Sequence, residues 1–283
     1  MSRSDDKPTT FRWLGAAGVE LSSGGHQLLV DPYLTRLGFL RQWVGTVHPD
    51  RERIRSAVSK CDVVLVTHSH WDHLMDVPEV VGHTGAIAVG SSNTAYLLKL
   101  LGVPEKNITT VQPGVHLIVH DFNVRVFEAH HMRAPGFGPG NVRANLRPPL
   151  RARDYRMDQF FSFHVEVNGI TLATEPGDRP LQMPETSILL VSPRYQRDQL
   201  VEILDRTHPK TVVPCHWDNM YRPLSKPMKP MLKPPALSLW PFRRMNLEEF
   251  RETIKRIDCS LRVFIPEVMK RYPIQELLAT SND

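Results

Sequence analysis

Residues 61–76 read Cys61-Asp62-Val63-Val64-Leu65-Val66-Thr67-His68-Ser69-His70-Trp71-Asp72-His73-Leu74-Met75-Asp76, and the fold is decided there. Val63 to Val66 is an unbroken apolar run rich in β-branched residues, the pattern of a strand buried on both faces. Immediately after it, His68, His70, Asp72 and His73 crowd into six residues. Side chains of this kind are costly to bury unless something pairs them, and a divalent transition metal is their usual partner. In a tight turn after a strand, His68 and His70 can face one way while Asp72 and His73 reach the other. One turn can therefore seed two adjacent metal sites. A polar surface turn holding histidines by chance would not explain the buried strand in front of it.

His68-Ser69-His70-Trp71-Asp72-His73 resembles the H-x-H-x-D-H signature of the metallo-β-lactamase superfamily. The resemblance implies a four-layer αββα sandwich of the α/β (α+β) class, extending over nearly the whole chain. Periodicity alone would allow other α/β sheets.

The chain has 283 residues, with 41% hydrophobic and 23% charged, which is ordinary for a globular protein and excludes disordered and fibrous classes. No composition break divides it, so residues 1–283 are expected to form one domain. The N-terminal segment MSRSDDKPTT lacks the apolar core of a secretory signal, and no later run reaches membrane-spanning length. The cysteines, Cys61, Cys215 and Cys259, are few and widely spaced, which argues against a disulfide framework and for a reducing, cytoplasmic location. The net charge of +5 is compatible with nucleic acid, an acidic substrate or a membrane surface, and its placement must choose among them.

Taken in order, Phe11 to Leu21 and His26 to Val30 read as an opening hairpin across Ser22-Ser23-Gly24-Gly25. The second strand runs into Asp31-Pro32, where Asp31 either initiates a turn or supports the site from behind. Residues 35–47 mix aromatics and arginines without a period and suggest a loop over the site. A short helix is expected over 54–59, a helix or turn over 76–81, a buried strand over 86–90, and a helix capped near Ser91 and ended by Gly102. Strands are expected from Val111 onward, over 115–119 and over 124–127. The last of these runs into His130-His131. Phe160 to Val167 and Ile170 to Thr174 flank the hairpin turn Asn168-Gly169, and Glu175-Pro176-Gly177-Asp178 follows. Ile188 to Val191 reads as a strand, Asp198 to Thr207 as a helix, and Thr211 to Pro214 as a strand ending at Cys215-His216. Strand alternation sets Cys215 opposite His216 and makes it a buried, inert thiol, while Asp218 is placed to orient a ligand histidine. An amphipathic helix over 246–257 and a strand over 261–265 close the chain.

Two segments carry concentrated positive charge. Residues 133–156 hold six arginines against one aspartate, and residues 222–244 hold six basic residues and six prolines with no acid. Both follow candidate ligand positions and are expected to border the pocket, the second as a stiff extended segment.

Carried over residue by residue, the resemblance implies one ion on His68, His70 and His131, with His130 as the fallback for His131. It implies a second ion on Asp72, His73 and His216, and Asp178 bridging both, so that Asp72 and Asp178 take the catalytic carboxylate roles. A nitrogen and carboxylate set suits zinc best, with manganese or iron as alternatives. A pair of such ions lowers the pKa of a bound water toward neutrality, which makes hydrolysis the default reaction. The chain is similar to ascorbate-6-phosphate lactonases and N-acylphosphatidylethanolamine-type phospholipases. That similarity and the basic segments together imply cleavage of a phosphodiester or lactone in an anionic small molecule or lipid. Two other readings are a nuclease of the same fold and a metal-binding protein on a membrane surface without catalysis. The nuclease lacks a recognition motif for nucleic acid. The membrane reading uses Met228, Met231, Leu232, Leu237, Leu239, Trp240 and Phe242.

Overall fold

A computed structural model describes residues 8–131, 139–177, 183–232 and 243–279. Strands alternate with helices wherever the sequence changes from buried apolar runs to amphipathic ones. In chain order the strands are β1 (Thr10–Gly15), β2 (Gly18–Ser23), β3 (His26–Val30), β4 (Val63–Leu65), β5 (Ile87–Gly90), β6 (Ile108–Thr110), β7 (His116–Val119), β8 (Phe122–Ala129), β9 (Phe160–Val167), β10 (Ile170–Ala173), β11 (Ile188–Val191), β12 (Thr211–Pro214), β13 (Arg262–Val263) and β14 (Arg271–Pro273). The helices are α1 (Arg51–Ala57), α2 (Trp71–Leu74), α3 (Val77–Thr84), α4 (Ser92–Leu100), α5 (Arg197–Thr207), α6 (Leu247–Ile257) and α7 (Ile274–Leu278).

The strands form two seven-stranded sheets, in the orders β14-β1-β2-β3-β4-β5-β6 and β13-β12-β11-β10-β9-β8-β7. Antiparallel hairpins lie toward one side of each sheet and parallel, helix-connected strands toward the other, as expected when short turns and helical crossovers alternate. Three apolar layers hold the stack. Phe11, Leu28, Val63 and Leu65 meet Phe122, Phe161, Phe163 and Leu190 between the sheets. Leu29, Val64 and Ala88 pack on Ile54, Val80 and Leu97 of α1, α3 and α4. Leu189 and Val212 pack on Ile203, Phe250 and Ile254 of α5 and α6. The αββα sandwich expected from the signature is the fold observed. β4 explains why its apolar run never alternates: Val63 and Leu65 face the other sheet and Val64 faces helices, so both sides are dry.

Several boundaries differ from the expectation. The first helix begins at Arg51 because Asp50 caps it, its carboxylate accepting from the backbone N–H of Arg53. The strand expected from Val111 lies instead over Ile108–Thr110, and the closing strand shrinks to Arg262–Val263. β14 was not anticipated. It pairs antiparallel with β1, and Arg-Tyr-Pro is too short and polar to announce a strand. Among the described residues no helix is long and apolar enough to cross a membrane.

Candidate metal centre

Each candidate ligand among the described residues follows a strand end and faces one cavity, His68 to His73 after β4, His131 after β8 and His216 after β12. β3 and β4 are in parallel register, Val30 opposite Leu65, and the backbone N–H of Asp31 donates to Leu65 O at 3.0 Å. Asp31 turns there with a left-handed φ of 43°, which lets its carboxylate face the next strand's exit. Its Oδ1 accepts from the Thr67 backbone N–H at 2.8 Å, and its Oδ2 accepts from the Thr67 hydroxyl. The same Oδ2 lies 2.8 Å from His73 Nδ1. Asp31 therefore holds His73 with Nε2 turned to the pocket, the support-from-behind alternative.

Two triads result. The donor atoms of His68, His70 and His131 all lie within 4.8 Å of one another, as do those of Asp72, His73 and His216. In the second triad, His73 Nε2 is 3.4 Å from His216 Nε2 and 3.5 Å from Asp72 Oδ2, which is 3.7 Å from His216 Nε2. A tetrahedral ion with bonds of about 2.0–2.1 Å sets its ligand atoms about 3.3 Å apart. The three atoms are thus spaced to share one ion. In the first triad His68 Nε2 lies 3.0 Å from His70 Nδ1, and the His131 ring centroid is 4.7 Å from that of His68. The triads abut, with the His68 and His73 ring centroids 3.9 Å apart. The donor set, mostly neutral nitrogens with one carboxylate, fits a pair of borderline divalent ions.

The structure separates the two adjacent histidines. His131 joins His68 and His70, while His130 is exposed and its backbone bridges to Gly177. That bridge needs glycine. Gly177 has φ +83°, and a Cβ there would collide with the His130 backbone. Asp178, the expected bridging carboxylate, lies outside the described residues.

Burial sets the protonation of the cluster. It pushes His68 and His216 well below the ordinary imidazole value, helped by neighbouring imidazoles for His68 and by Arg194 for His216. It takes His70 down to about 3. These rings are neutral lone-pair donors at pH 7. His73 runs the other way: burial lowers it, but Asp31 and Asp72 outweigh burial and leave it raised.

The triads open into a cavity of about 180 Å³ whose wall includes Gln42, Trp71, Glu175, Arg194, Tyr195, Tyr221 and Met231. Four of these, Glu175, Arg194, Tyr195 and Tyr221, escaped the sequence reading. Arg194 and Tyr195 follow β11, and Arg194 Nη2 lies 2.7 Å from His216 Nδ1. Glu175 follows β10, is pushed up by burial, and accepts from the Tyr195 hydroxyl at 2.7 Å. The one available signal for Glu175, Arg194 and Tyr195 was position, just past an apolar strand.

Two expectations are corrected. Cys215 does not point away from the pocket. His216 adopts φ 55°, which breaks the alternation, and both residues line the cavity. Burial and nearby Glu175 raise the Cys215 thiol well above its ordinary value, so it remains protonated. Asp218 orients no histidine; its Oδ1 accepts from Ala16 N at 2.9 Å and its Oδ2 from Arg36 Nη1 at 2.6 Å. Residues 139–156 of the arginine-rich segment lie beside the site rather than in the cavity wall: the Arg156 carbonyl accepts from the Ser69 hydroxyl between His68 and His70 at 2.6 Å, and Tyr96 of α4 donates to Ala144 O, while 133–138 lie outside the described residues. Of residues 222–244, Met231 reaches the cavity, and 233–242, with Leu237, Leu239, Trp240 and Phe242, lie outside the described residues.

A family model described as a beta-lactamase superfamily domain matches residues 10–216. A UPF0173 metal-dependent hydrolase from Methanopyrus kandleri is 31% identical, over 92% of this chain and 97% of its own. A metallo hydrolase from the archaeon Ignicoccus hospitalis superposes with a TM-score of 0.59 at 14% identity, covering 94% of this chain and 98% of its own. A diiron beta-hydroxylase from Streptomyces venezuelae superposes with a TM-score of 0.58 at 13% identity, over 96% of this chain and 54% of its own.

Proposed function

For a chain that belongs to the beta-lactamase superfamily, and within it to the UPF0173 metal-dependent hydrolases, we propose a dinuclear hydrolase that cleaves an ester-type bond, phosphodiester or lactone, in an anionic small molecule or lipid. The observation that carries this reading is the placement of Arg194, a guanidinium in the wall of a cavity floored by two abutting triads.

His68, His70 and His131 would hold one ion and Asp72, His73 and His216 the other, with Asp178 assigned between them on the signature alone. When bound, the ions supply positive charge that lowers the pKa of a water and polarises the bond under attack. Zinc suits the donor set best. Iron and manganese are the alternatives, and the same fold carries two irons in the Streptomyces beta-hydroxylase. The chain's own groups do the rest. Asp31 keeps the proton of His73 on Nδ1, so its Nε2 lone pair faces the site. Arg194 has no acceptor capacity, so its contact makes His216 Nδ1 the acceptor and leaves the ring proton on Nε2. To hold an ion through Nε2, His216 would have to carry its proton on Nδ1 instead, and Arg194 would lose that contact. The released guanidinium is then available to an anionic group of the substrate, where its planar fork favours phosphate or carboxylate.

A lipid or amphiphilic substrate is supported by the cavity mouth. Phe39, Leu40, Trp43 and Val44 are 52–74% exposed, and Phe39 packs edge-on against Tyr221 of the cavity wall. Such an exposed apolar cluster marks an interaction surface.

Metal-loaded protein assayed on generic phosphodiester, lactone and carboxylic ester substrates tests the reading. Turnover of an anionic ester is expected, with Arg194→Met raising KM at least tenfold for the anionic substrate and little for a neutral analogue. Inactivity on all three classes, or an Arg194→Met enzyme with unchanged charge preference, would overturn it.

A further inference from the structure

We propose that His26, Asp62 and His120 form an accessory site for a divalent transition-metal ion, separate from the pocket and lying at the opposite end of the same strands. His26 begins β3 and Asp62 precedes β4, the strands whose other ends deliver Asp31 and His68. His120 sits in the turn that begins β8, the strand that ends before His131. At about 3.3 Å per residue, the length of β3 puts the cluster roughly 16 Å from the catalytic turn.

The donor atoms converge as a ligand set does. His26 Nδ1 lies 3.2 Å and His120 Nε2 3.6 Å from the same carboxylate oxygen, Asp62 Oδ1. These values bracket the spacing of about 3.3 Å that a tetrahedral ion with ligand bonds of about 2.0–2.1 Å imposes. The donor atoms of all three residues fall within 4.8 Å of one another. The carboxylate is also aimed: its Oδ2 accepts from the Gln27 backbone N–H at 2.7 Å, leaving Oδ1 to the imidazoles.

An ordinary surface ion pair would need one imidazole. Here a second arrives from the other sheet on a residue with φ 52°, and the two rings stack in parallel with centroids 3.6 Å apart. A rotation of the rings about Cβ–Cγ would direct both lone pairs at one ion. The nearby cation Lys60 is turned away onto the Gly25 carbonyl. The side chains are 32%, 18% and 45% exposed, so an ion can enter from solvent and keep a water as its fourth ligand. Because His26 and Asp62 belong to one sheet and His120 to the other, the ion would tie the two sheets together far from the chemistry.

The test uses metal-stripped full-length protein dialysed against zinc, with zinc per chain read by elemental analysis. His120→Asn tolerates the left-handed backbone and removes the imidazole, and His26→Gln removes the other ring. Each variant is expected to bind one zinc fewer than wild type and to lose part of the zinc-induced rise in Tm, with unchanged circular dichroism. The difference between proteins reads this site whether the pocket holds one ion or two. If both folded variants bind as many zinc ions as wild type, the proposal is wrong. If one variant fails to fold, the other decides by the same count.

Discussion

Asp31→Asn separates the electrostatic role of Asp31 from its shape. Asparagine is nearly isosteric and tolerates the left-handed φ of 43°, so the backbone turn should survive. The hydrogen-bond pattern cannot. Asp31 accepts from the Thr67 N–H on one oxygen, and on the other it accepts from the Thr67 hydroxyl and lies 2.8 Å from His73 Nδ1. An amide offers one acceptor oxygen and one donor nitrogen. If the nitrogen faces Thr67 N–H, a donor opposes a donor. If it faces His73, the ring must accept on Nδ1 and carry its proton on Nε2, the atom that lies 3.4 Å from His216 Nε2 and 3.5 Å from Asp72 Oδ2. Either arrangement removes a hydrogen bond to a charged acceptor, at about 1.5–3 kcal/mol of metal-free stability. The second also removes a ligand lone pair.

Partners that orient metal-bound histidines contribute about 10–100-fold in affinity, or about 1.4–2.7 kcal/mol. Competition of the metal-loaded protein against a chromophoric chelator reads this directly. Asp31→Asn should weaken the binding step assigned to Asp72, His73 and His216 by that factor. The step assigned to His68, His70 and His131 should stay within about threefold. Unchanged constants for both steps, or equal weakening of both, would refute the argument that Asp31 acts through His73.

Two further perturbations follow from buried charge. His70 titrates at about 3 in the fold and at about 6.5 in an unfolded chain, so between those values the unfolded state binds the extra proton and stability is lost as pH falls. Between pH 7.5 and pH 5 the metal-free wild type should lose about 2 kcal/mol more than metal-free His70→Gln, measured by urea unfolding. Equal losses would mean that His70 is not held neutral by burial. Arg36 and Asp218 form an ion pair with both side chains fully buried, and Nε and Nη2 of Arg36 have no hydrogen-bond partner among the described residues. Asp218→Asn should therefore cost about 3–5 kcal/mol by stranding a buried guanidinium, and Arg36→Met combined with Asp218→Leu should recover most of it. A single variant as stable as wild type would count against the pair.

What was legible in the sequence was whatever a short window contains. The turn from His68 to His73 declares itself because an apolar run too continuous for a half-exposed strand stops at four ligand-type residues. His216 carries the same local sign, a ligand type just past a strand; His130 and His131 share that sign, and only the resemblance chooses between them. Relations across the chain were not legible. Asp218 looked like a histidine's partner because His216 is two residues away, but its charge partner is Arg36, 182 positions distant and brought near only by the sandwich. Charge density is a weak guide to a pocket: the arginines of residues 143–153 are exposed, and their long stems let their heads stay in water. Among the described residues the cation in the cavity wall is Arg194, which no run of like residues announces.

One physical fact underlies both the pocket and its counterpart at the far end. β3 and β4 are parallel and in register, and β8 of the facing sheet starts and ends at the same two edges, so residues remote in sequence gather in two rows, one at each edge of the sandwich. In one row β3, β4 and β8 lead to Asp31, His68 and His131; in the other they start beside His26, Asp62 and His120. The pocket end is largely buried, and burial keeps His68 and His216 neutral and makes unpaired groups there expensive, which ties the fold's own stability to a bound ion. The second row is partly solvated, so its histidines can be hydrated without an ion. Stripping metal should therefore cost the pocket end more stability than the far end. Hydrogen exchange of the metal-free protein should show amides of Thr67 to Leu74 losing protection before those of Gln27 and Val63, and the reverse order would place the dependence on metal at the wrong edge.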